Sequence, residues 1–416
     1  MHTVIVGGGV IGLTTAYHLA REGETVTLVN ARATGLGASD VNAGWVTPAE
    51  SAPVPGPGLV LKSMKWMLHR DSPLYIRPSL RPEFLRFMLG MWRHCNAADQ
   101  RLGFEGQLRL AQGSIETFDD YQADGIDFEM HTDGQVMAFM EKVNLEHHLE
   151  ILDLVRQFDL EPQVLIGDDV RVREPKLADR VYGGIYHPHE RHLDPGALMR
   201  GLHKRLVEMG VQIEEQVVID AVDRDERRVR AVRGGDRVFA GDRFVLAAGA
   251  WTGQLSALFG HPLPVRPGKG YCVDLAPYGL RQAVNLADAK VAVTPLAGRL
   301  RLSGTMEFGG LDEDINPVRV AAILRAPTAY FRDWEPPTEP PQAQAGCRPM
   351  TPDGKPFIGR LGTCENAYVS AGHGMMGVTL APGTASALTE LILRDRLSPD
   401  LNTFSPRRFT KHKSKH

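Results

Sequence analysis

Residues 4–30, VIVGGGVIGLTTAYHLAREGETVTLVN, constrain the fold more than any other stretch of the chain. Gly7, Gly9 and Gly12 form a GxGxxG turn between an apolar run and a run of good helix formers, and a second apolar run ends at Asn30. The first glycine permits a tight turn, the second lets backbone approach a pyrophosphate, and the third lets helix and strand pack closely. The helix N-terminus then faces the phosphates. A bare GxGxxG is weak, but here it has its full context: strand before, helix after, second strand about 20 residues on. Gly23 punctuates the helix end. The stretch reads as a βαβ dinucleotide-binding unit. Such a unit usually closes on Asp or Glu, which grips a ribose; this one closes on Asn30.

The chain of 416 residues is too long for one small core, and two to three domains are expected. A net charge of -3 excludes general attraction to nucleic acid. The four cysteines, Cys95, Cys272, Cys347 and Cys364, make no CxxC pair. That argues against a zinc site or a disulfide scaffold and fits a reducing compartment, the cytoplasm. Three consecutive glycines, Gly7 to Gly9, interrupt the apolar N-terminus, which is read as structure rather than a signal peptide. No stretch supplies the roughly 20 apolar residues of a spanning helix. The last ten residues, RRFTKHKSKH, carry five Lys/Arg and no acid. They read as a solvated, disordered tail, with a contact to anionic lipid as the sharper alternative.

Along the chain, residues 31–60 read as an extended loop rich in Gly, Ala and Pro, and residues 62–125 as helical. Alternating sequence around FEMHTDGQVMAFM, a helix near residues 145–158, and a helix and strand from LDPGALMRG follow. DRFVLAAGAW reads as a short buried strand meeting a glycine turn, and residues 262–310 as an antiparallel sheet. NAYVSAGHGMMGVTLAPGTASALTELILR closes with strand, glycine turn and helix. Nucleotide-like turns near both ends imply one α/β domain of the Rossmann type built from residues 1–60, 190–260 and 345–400. A second, α+β domain built on an antiparallel sheet would be inserted into it as residues 61–189 and 261–344, with 401–416 as the tail.

Gly372, Gly374 and Gly377 make a second GxGxxG before a long helix. One pyrophosphate needs only one such turn. The second suits another negative group, such as the charge a reduced flavin develops, although an ordinary helix start is an even alternative. ARATGLGASDVNAGWV offers a third glycine-rich loop, in which Ser39 could line an extended cofactor. Arg348 stands on the rigid CRPMTPDG stretch, and its two-pronged guanidinium suits a carboxylate; taken alone, a surface ion pair would explain it as well. HPHERH holds His187, His189 and His192 but contains a proline and lacks an i, i+4 pair, so it reads as a loop and no metal site is assigned. Neither a GxSxG elbow nor a P-loop lysine motif is present.

Together the first fingerprint, ASDVNAGWVTPAESAP, LKSMKWML, PGKGYCV, VAVTPLAGRLRLSGTMEF, RPMTPDGKPFIG and GHGMMGVTLAPGTASALTELI resemble the FAD-dependent D-amino-acid dehydrogenase small-subunit family. That family lies within the D-amino-acid oxidase, glycine oxidase and sarcosine oxidase superfamily, and the matches run in order from residue 3 to about residue 395. The resemblance implies non-covalent FAD and oxidation of the Cα–N bond of a D-amino acid by hydride transfer from Cα to flavin N5. The imino acid would hydrolyse to a 2-oxo acid and ammonia, and electrons would pass to a quinone or other acceptor. By motif, Gly7, Gly9, Val10, Ile11, Gly12, Asn30, Ala31, Ser39, Asn42, Ala43 and Gly44 would contact FAD. Val218 would meet the adenine side, with Ala248 and Gly249 on the path to the flavin, and Trp251 would also contact the cofactor. Gly374, Met375, Met376, Gly377, Val378 and Thr379 would surround the flavin pyrimidine. Arg348 would clamp the substrate carboxylate, and Tyr271 is a weaker candidate for substrate contact. Asn30 would hydrogen-bond a ribose hydroxyl without charge assistance, and Cys347 would pack rather than attach flavin. An oxygen-using glycine or sarcosine-type oxidase, or a flavin-carrying subunit that needs a partner, are the rival readings. A quinone acceptor would place the protein in the cytoplasm, peripheral to the inner face of the plasma membrane.

Overall fold

Val4, Ile5 and Val6 are all but fully buried, as parallel strands covered on both faces require of successive residues. In the computed structural model, His2–Val6 pairs in parallel with Thr25–Val29 on one side and Arg243–Leu246 on the other. The structure describes residues 1–59, 63, 66, 69, 71–396 and 398–409. The helical reading near residues 62–70 therefore falls largely outside the described residues, as do the last seven residues of the basic tail.

Six strands form the first sheet, in the order Gln212–Glu214, Thr25–Val29, His2–Val6, Arg243–Leu246, Ala367–Ala371, Phe357–Arg360. The first five are parallel and the last is antiparallel. Helices Val10–Arg21, Pro195–Glu208 and Gly377–Arg394 share a core through Leu13, Leu198, Leu202, Leu380 and Leu388. Burying each of these leucines contributes about 1.5–3 kcal/mol. A second core joins Val4, Val6, Phe244 and Leu246 to Val229 and Val232 of a three-stranded antiparallel sheet, Ala221–Arg224, Val229–Gly234 and Arg237–Ala240. A β-carbon at Gly12 would lie 1.8 Å from the Gly7 carbonyl oxygen, so only glycine lets the first helix approach its strand this closely.

The second sheet has nine strands. Eight run in the order Ala343–Met350, Arg266–Leu275, Arg299–Phe308, Val291–Leu296, Ala283–Leu286, Gln135–Phe139, Gly183–His187, Gln163–Ile166, and Leu74–Ile76 pairs beside Arg299–Phe308. The expected antiparallel sheet is thus a mixed one. Ala283–Leu286 pairs in parallel with Gln135–Phe139, and Leu74–Ile76 in parallel with Arg299–Phe308. Hairpins force antiparallel pairing, whereas these partners are joined by long excursions that do not. Ala343–Met350 pairs with Arg266–Leu275, so residues 345–350, expected with the nucleotide-binding segments, stand on this second sheet.

One face of this sheet builds a core with helix Pro317–Arg325 through Val273, Leu302, Val320 and Ile323. From the same sheet, other side chains reach the glycine-rich loop after Asn30. Arg301 Nη1 donates to the carbonyls of Asp40 and Asn42 at 3.0 and 3.2 Å. Trp45 Nε1 donates to Thr294 Oγ1, which donates in turn to the Ala43 carbonyl, each at 2.8 Å. The loop is therefore pinned to the second sheet while its start follows a strand of the first.

The disordered tail expected from residue 401 is corrected for residues 401–409. Pro399–Phe404 and Pro406–Phe409 form 3-10 turns in which Leu401 and Phe404 are buried. Arg408 makes two bonds to Asp353, at 2.8 and 3.0 Å, and lies over the Phe357 ring. The basic composition conceals two anchors, an aromatic ring and a buried ion pair. His187 and His192 of HPHERH fall on different strands, and His192 stacks on His131 with ring centroids 4.6 Å apart. Among the described residues, no group of three or more His, Cys, Asp or Glu is placed to hold a metal ion. No helix among them is long and apolar enough to cross a membrane.

Candidate active site

An elongated cavity of about 490 Å³ runs between the two glycine turns. At one end, Gly7 has φ +117°, and a β-carbon there would stand 2.3 Å from the Ala247 carbonyl oxygen. Gly8 N donates to Asn30 Oδ1 and Val10 N to Ser39 Oγ, both at 3.0 Å. The first-turn N–H groups of helix Val10–Arg21 have no partner within the helix and suit an anion. Gly7, Gly9, Val10 and Ile11 line the cavity, while Gly12 sits behind it as the packing glycine.

Asn30 has a duty that the sequence did not suggest. Its Oδ1 braces the glycine loop at Gly8, and its Nδ2 donates to the carbonyls of Arg32 and Ala33 at 3.1 and 3.3 Å. An amide can do both; a carboxylate can do only the first. Ala31, Val218, Ala248, Gly249 and Trp251 line the same end, and Val218 is 65% exposed. Arg32, outside the expected set, stacks over the Trp251 ring at 4.9 Å and pairs with Glu313 at 2.7 Å.

The middle of the cavity belongs to the third glycine-rich loop. Ser39 and Asn42 line it. Asn42 also shapes the loop, donating to Ala38 and Ser39 carbonyls and accepting from Gly44 N at 2.7 Å. Ala43 and Gly44 lie off the lining: the Ala43 carbonyl accepts from Thr294, and the Gly44 carbonyl from Leu193 N. At the far end, Gly374, Met375, Gly377 and Val378 line the cavity, and Met375 is 55% exposed. Met376 and Thr379 do not line it. Met376 packs against the helical core, and Thr379 Oγ1 ties Trp45 O to Thr47 N at 3.1 and 3.0 Å. His373, missed in sequence, lines both this cavity and a small recess beside Pro53 and Met350. Burial holds its imidazole down to about 3, so it is neutral.

Arg348 lines the cavity from the strand Ala343–Met350. Nη1 donates to the Thr305 carbonyl at 2.8 Å. Burial lowers its pKa to about 10, an effect that the Cys272 and Cys347 thiols oppose. It is therefore still a cation at neutral pH. Among the described residues no carboxylate forms an ion pair with it. Arg348 is half-buried, and a charge drawn out of water is costly unless something pairs it; a guanidinium is shaped to take a carboxylate through two parallel bonds. Strand-interior glycines in PGKGYC and AGCRPM are the sequence signal for this close approach: Gly270 and Gly346 both line the cavity.

Tyr271 is corrected. It packs in the hydrophobic core on the second sheet, with Val273 and Leu302, and its hydroxyl donates to Glu307 Oε2 at 2.7 Å. Successive strand residues face opposite ways, so Gly270 looks into the cavity and Tyr271 away from it. Lys269 completes that hidden network, 3.5 Å from Glu307 and 2.5 Å from Asp312. Cys347 lines the cavity, but burial pushes its thiol up to about 11, and Sγ donates to the Asp312 carbonyl at 3.3 Å. A protonated thiol is a poor nucleophile.

Comparison with known proteins shows the family and the fold. The model of the FAD dependent oxidoreductase family, DAO, matches residues 2–391. A D-amino acid dehydrogenase of Bradyrhizobium diazoefficiens is 31% identical over 419 residues, covering 98% of this chain and 99% of that protein. D-amino acid dehydrogenase 1 of Mesorhizobium japonicum is 29% identical over 427 residues, covering 99% of this chain and 100% of that protein. Among solved structures, glycine oxidase from Geobacillus kaustophilus superposes with a TM-score of 0.78 at 22% identity, covering 98% of each chain. L-proline dehydrogenase from P. horikoshii does so at 0.74 and 17%, covering 98% of this chain and 97% of that one. Likeness at these identities concerns the fold.

Proposed function

The chain belongs to the FAD-dependent oxidoreductase (DAO) family, and on that footing we propose that it is a D-amino-acid dehydrogenase. The observation that carries the substrate reading is Arg348, a guanidinium on the cavity wall with which no carboxylate among the described residues pairs. The residues fit FAD: helix-start N–H groups and the Gly7–Gly9 turn for the pyrophosphate, Val218 and Trp251 for the adenosine, and the Gly374–Gly377 turn for the flavin. FAD, when bound, supplies the two-electron acceptor.

Arg348 takes the substrate carboxylate and so fixes the orientation of Cα. With FAD bound, the Cα hydrogen would leave as hydride with both C–H electrons while the amine lone pair closes the C=N bond, giving the protonated imino acid. Water then hydrolyses it to a 2-oxo acid and ammonia. His373, neutral and buried, adds no charge to the wall. No side chain is assigned as an obligatory base, because the reacting amine need only arrive without its extra proton. A quinone or other carrier then takes the electrons, with the protein in the cytoplasm at the inner face of the plasma membrane. We read the chain as a discontinuous nucleotide-binding domain and a substrate domain on the second sheet, with Arg348 contributed from that sheet.

Anaerobic reduction of the flavin-loaded protein tests the reading. D-alanine should bleach the flavin, whereas L-alanine and ethylamine, which lacks the carboxylate, should not. Equal bleaching by ethylamine would remove the carboxylate anchor from the argument. Stoichiometric peroxide in air would identify the oxygen-using oxidase instead, and bleaching only after a partner is added would identify the subunit reading.

A further inference from the structure

Helix Pro82–His94 buries only Phe87 and Met91 fully, and its outer face is unusual. Leu85, Leu89 and Trp92 are 51%, 45% and 59% exposed, and Leu80, just before the helix, is 91% exposed. Side chains advance by about 100° per residue, so the 85, 89, 92 spacing makes one continuous apolar stripe. Arg86 and Arg93 fall on the adjoining stripe, and Arg77 and Arg81 precede the helix. None of these four arginines forms an ion pair among the described residues. Glu83 is the only acid between residues 77 and 94.

A groove of about 1270 Å³ lies beside this helix. Its lining includes Arg77, Arg81, Arg86, Arg93 and Arg266, with Phe84, Phe87, Leu263 and Phe308 as apolar lining. It shares Ala250 and Gln254 with the cofactor cavity, so the two spaces adjoin. The C-terminal segment reaches the same face: Phe409 lines the groove and contacts His94 edge-on, and Lys411, Lys413 and Lys415 follow it in sequence.

We propose that the face built on helix Pro82–His94 docks the protein on an anionic lipid bilayer, with Leu85, Leu89 and Trp92 entering the headgroup boundary. Exposed apolar side chains flanked by unpaired arginines are what an interfacial helix presents to such a surface. A protein partner would need an acidic apolar cleft to match both stripes; an anionic bilayer offers both at once. Docking this way brings the mouth of the groove, and through Ala250 and Gln254 the cofactor cavity, to the lipid. The proposal gives a place to the acceptor reading above and stands separately from it, since it concerns vesicle binding rather than turnover.

The test uses the FAD-loaded full chain and vesicles of phosphatidylcholine with or without phosphatidylglycerol. Binding is expected only with phosphatidylglycerol, weakening at high salt. Brominated lipid should quench tryptophan emission, and Trp92→Phe should remove most of that quenching. The Arg86→Gln, Arg93→Gln double variant should bind about 25-fold more weakly, at roughly 5-fold per arginine. Leu85→Ser with Leu89→Ser should also weaken binding. Both variants should keep D-amino-acid turnover with a soluble dye, which separates this proposal from the substrate reading and shows that they fold. Three results would overturn it: no binding to the anionic vesicles, equal binding by both double variants, or a dimer in ultracentrifugation that Leu85→Ser with Leu89→Ser dissolves.

Discussion

Arg348 lies so close over Gly270 that a β-carbon there would stand 2.0 Å from Nη1. The glycine therefore clears the space in which the guanidinium sits, one strand away from its own. Gly270→Ala should push the guanidinium off its bond to the Thr305 carbonyl. FAD content should be unchanged, while kcat/KM for D-amino acids falls about 100-fold, the cost of a misplacement near 1 Å. Flavin absorbance and rapid-mixing reduction measure the two separately.

Replacing the anchor itself should act on substrate rather than cofactor. Arg348→Lys keeps charge but loses the two-pronged geometry, and should bind FAD normally yet reduce slowly. Arg348→Ala should cost about 2–5 kcal/mol in kcat/KM and lose most of the preference for the acid over the matching amine. An unchanged preference would mean that the carboxylate binds elsewhere.

Asn30→Asp should weaken FAD binding, although a charged acceptor usually helps at this position. Aspartate keeps the bond from Gly8 N but cannot donate to the Arg32 and Ala33 carbonyls, which would then face a second carboxylate oxygen. A loss of about 1–2 kcal/mol, or roughly 5- to 30-fold, is expected by equilibrium titration of the apoprotein. Equal or tighter binding would show that the ribose contact outweighs the loop brace.

Cys347→Ser should leave flavin release unchanged: acid precipitation should free the FAD from both proteins. Colour that stays with the wild-type pellet and is absent from the variant's would reveal a covalent link, against the burial of this thiol, which favours its protonated form.

Glu50 gives a pH test of stability. Burial raises its carboxyl to about 7, an effect that its bonds from Asn285 and the charge of Lys290 oppose. A raised acid binds its proton more tightly folded than unfolded. Its contribution is therefore full below about pH 4.5 and lost as pH rises to about 7, on the order of 3 kcal/mol in all. Buried histidines slope the other way, so the comparison is between variants. Glu50→Gln should gain stability relative to wild type as pH rises from 5 to 7, read as the difference in Tm. A constant difference across that range would rule out the titration.

What could be read from sequence and what could not divides along physical lines. The strand-to-helix turn at Gly7, Gly9 and Gly12 was legible because its motif is short and contiguous, and Arg348 stands on the cavity wall, where its proposed role needs it. Tyr271 was not, because a strand residue's face depends on its neighbours, and the pairing slips between Lys269 and Tyr271. Met376, the residue before helix Gly377–Arg394, and Thr379 in its first turn lie beside the cavity-lining Gly374, Gly377 and Val378 but do not line the cavity themselves. Phe404 and Arg408 were hidden by composition: a basic stretch looks solvated until Asp353 is placed under it. The parallel pairings of the second sheet join residues far apart in the chain, which no local pattern records.

The first sheet also fixes an order of events during synthesis. Gly7 rests on the Ala247 carbonyl, and the helix that it opens packs against Gly377–Arg394. Residues 2–29 thus lack their native surroundings until the chain as far as helix Gly377–Arg394 has been made, a wait of roughly 20–70 s at ordinary elongation rates. Through that interval a run of buried valines and leucines has no permanent cover. The proposed capture of FAD by this turn is then a late event in maturation, and the nascent chain is most exposed to aggregation along the buried strands His2–Val6 and Thr25–Val29.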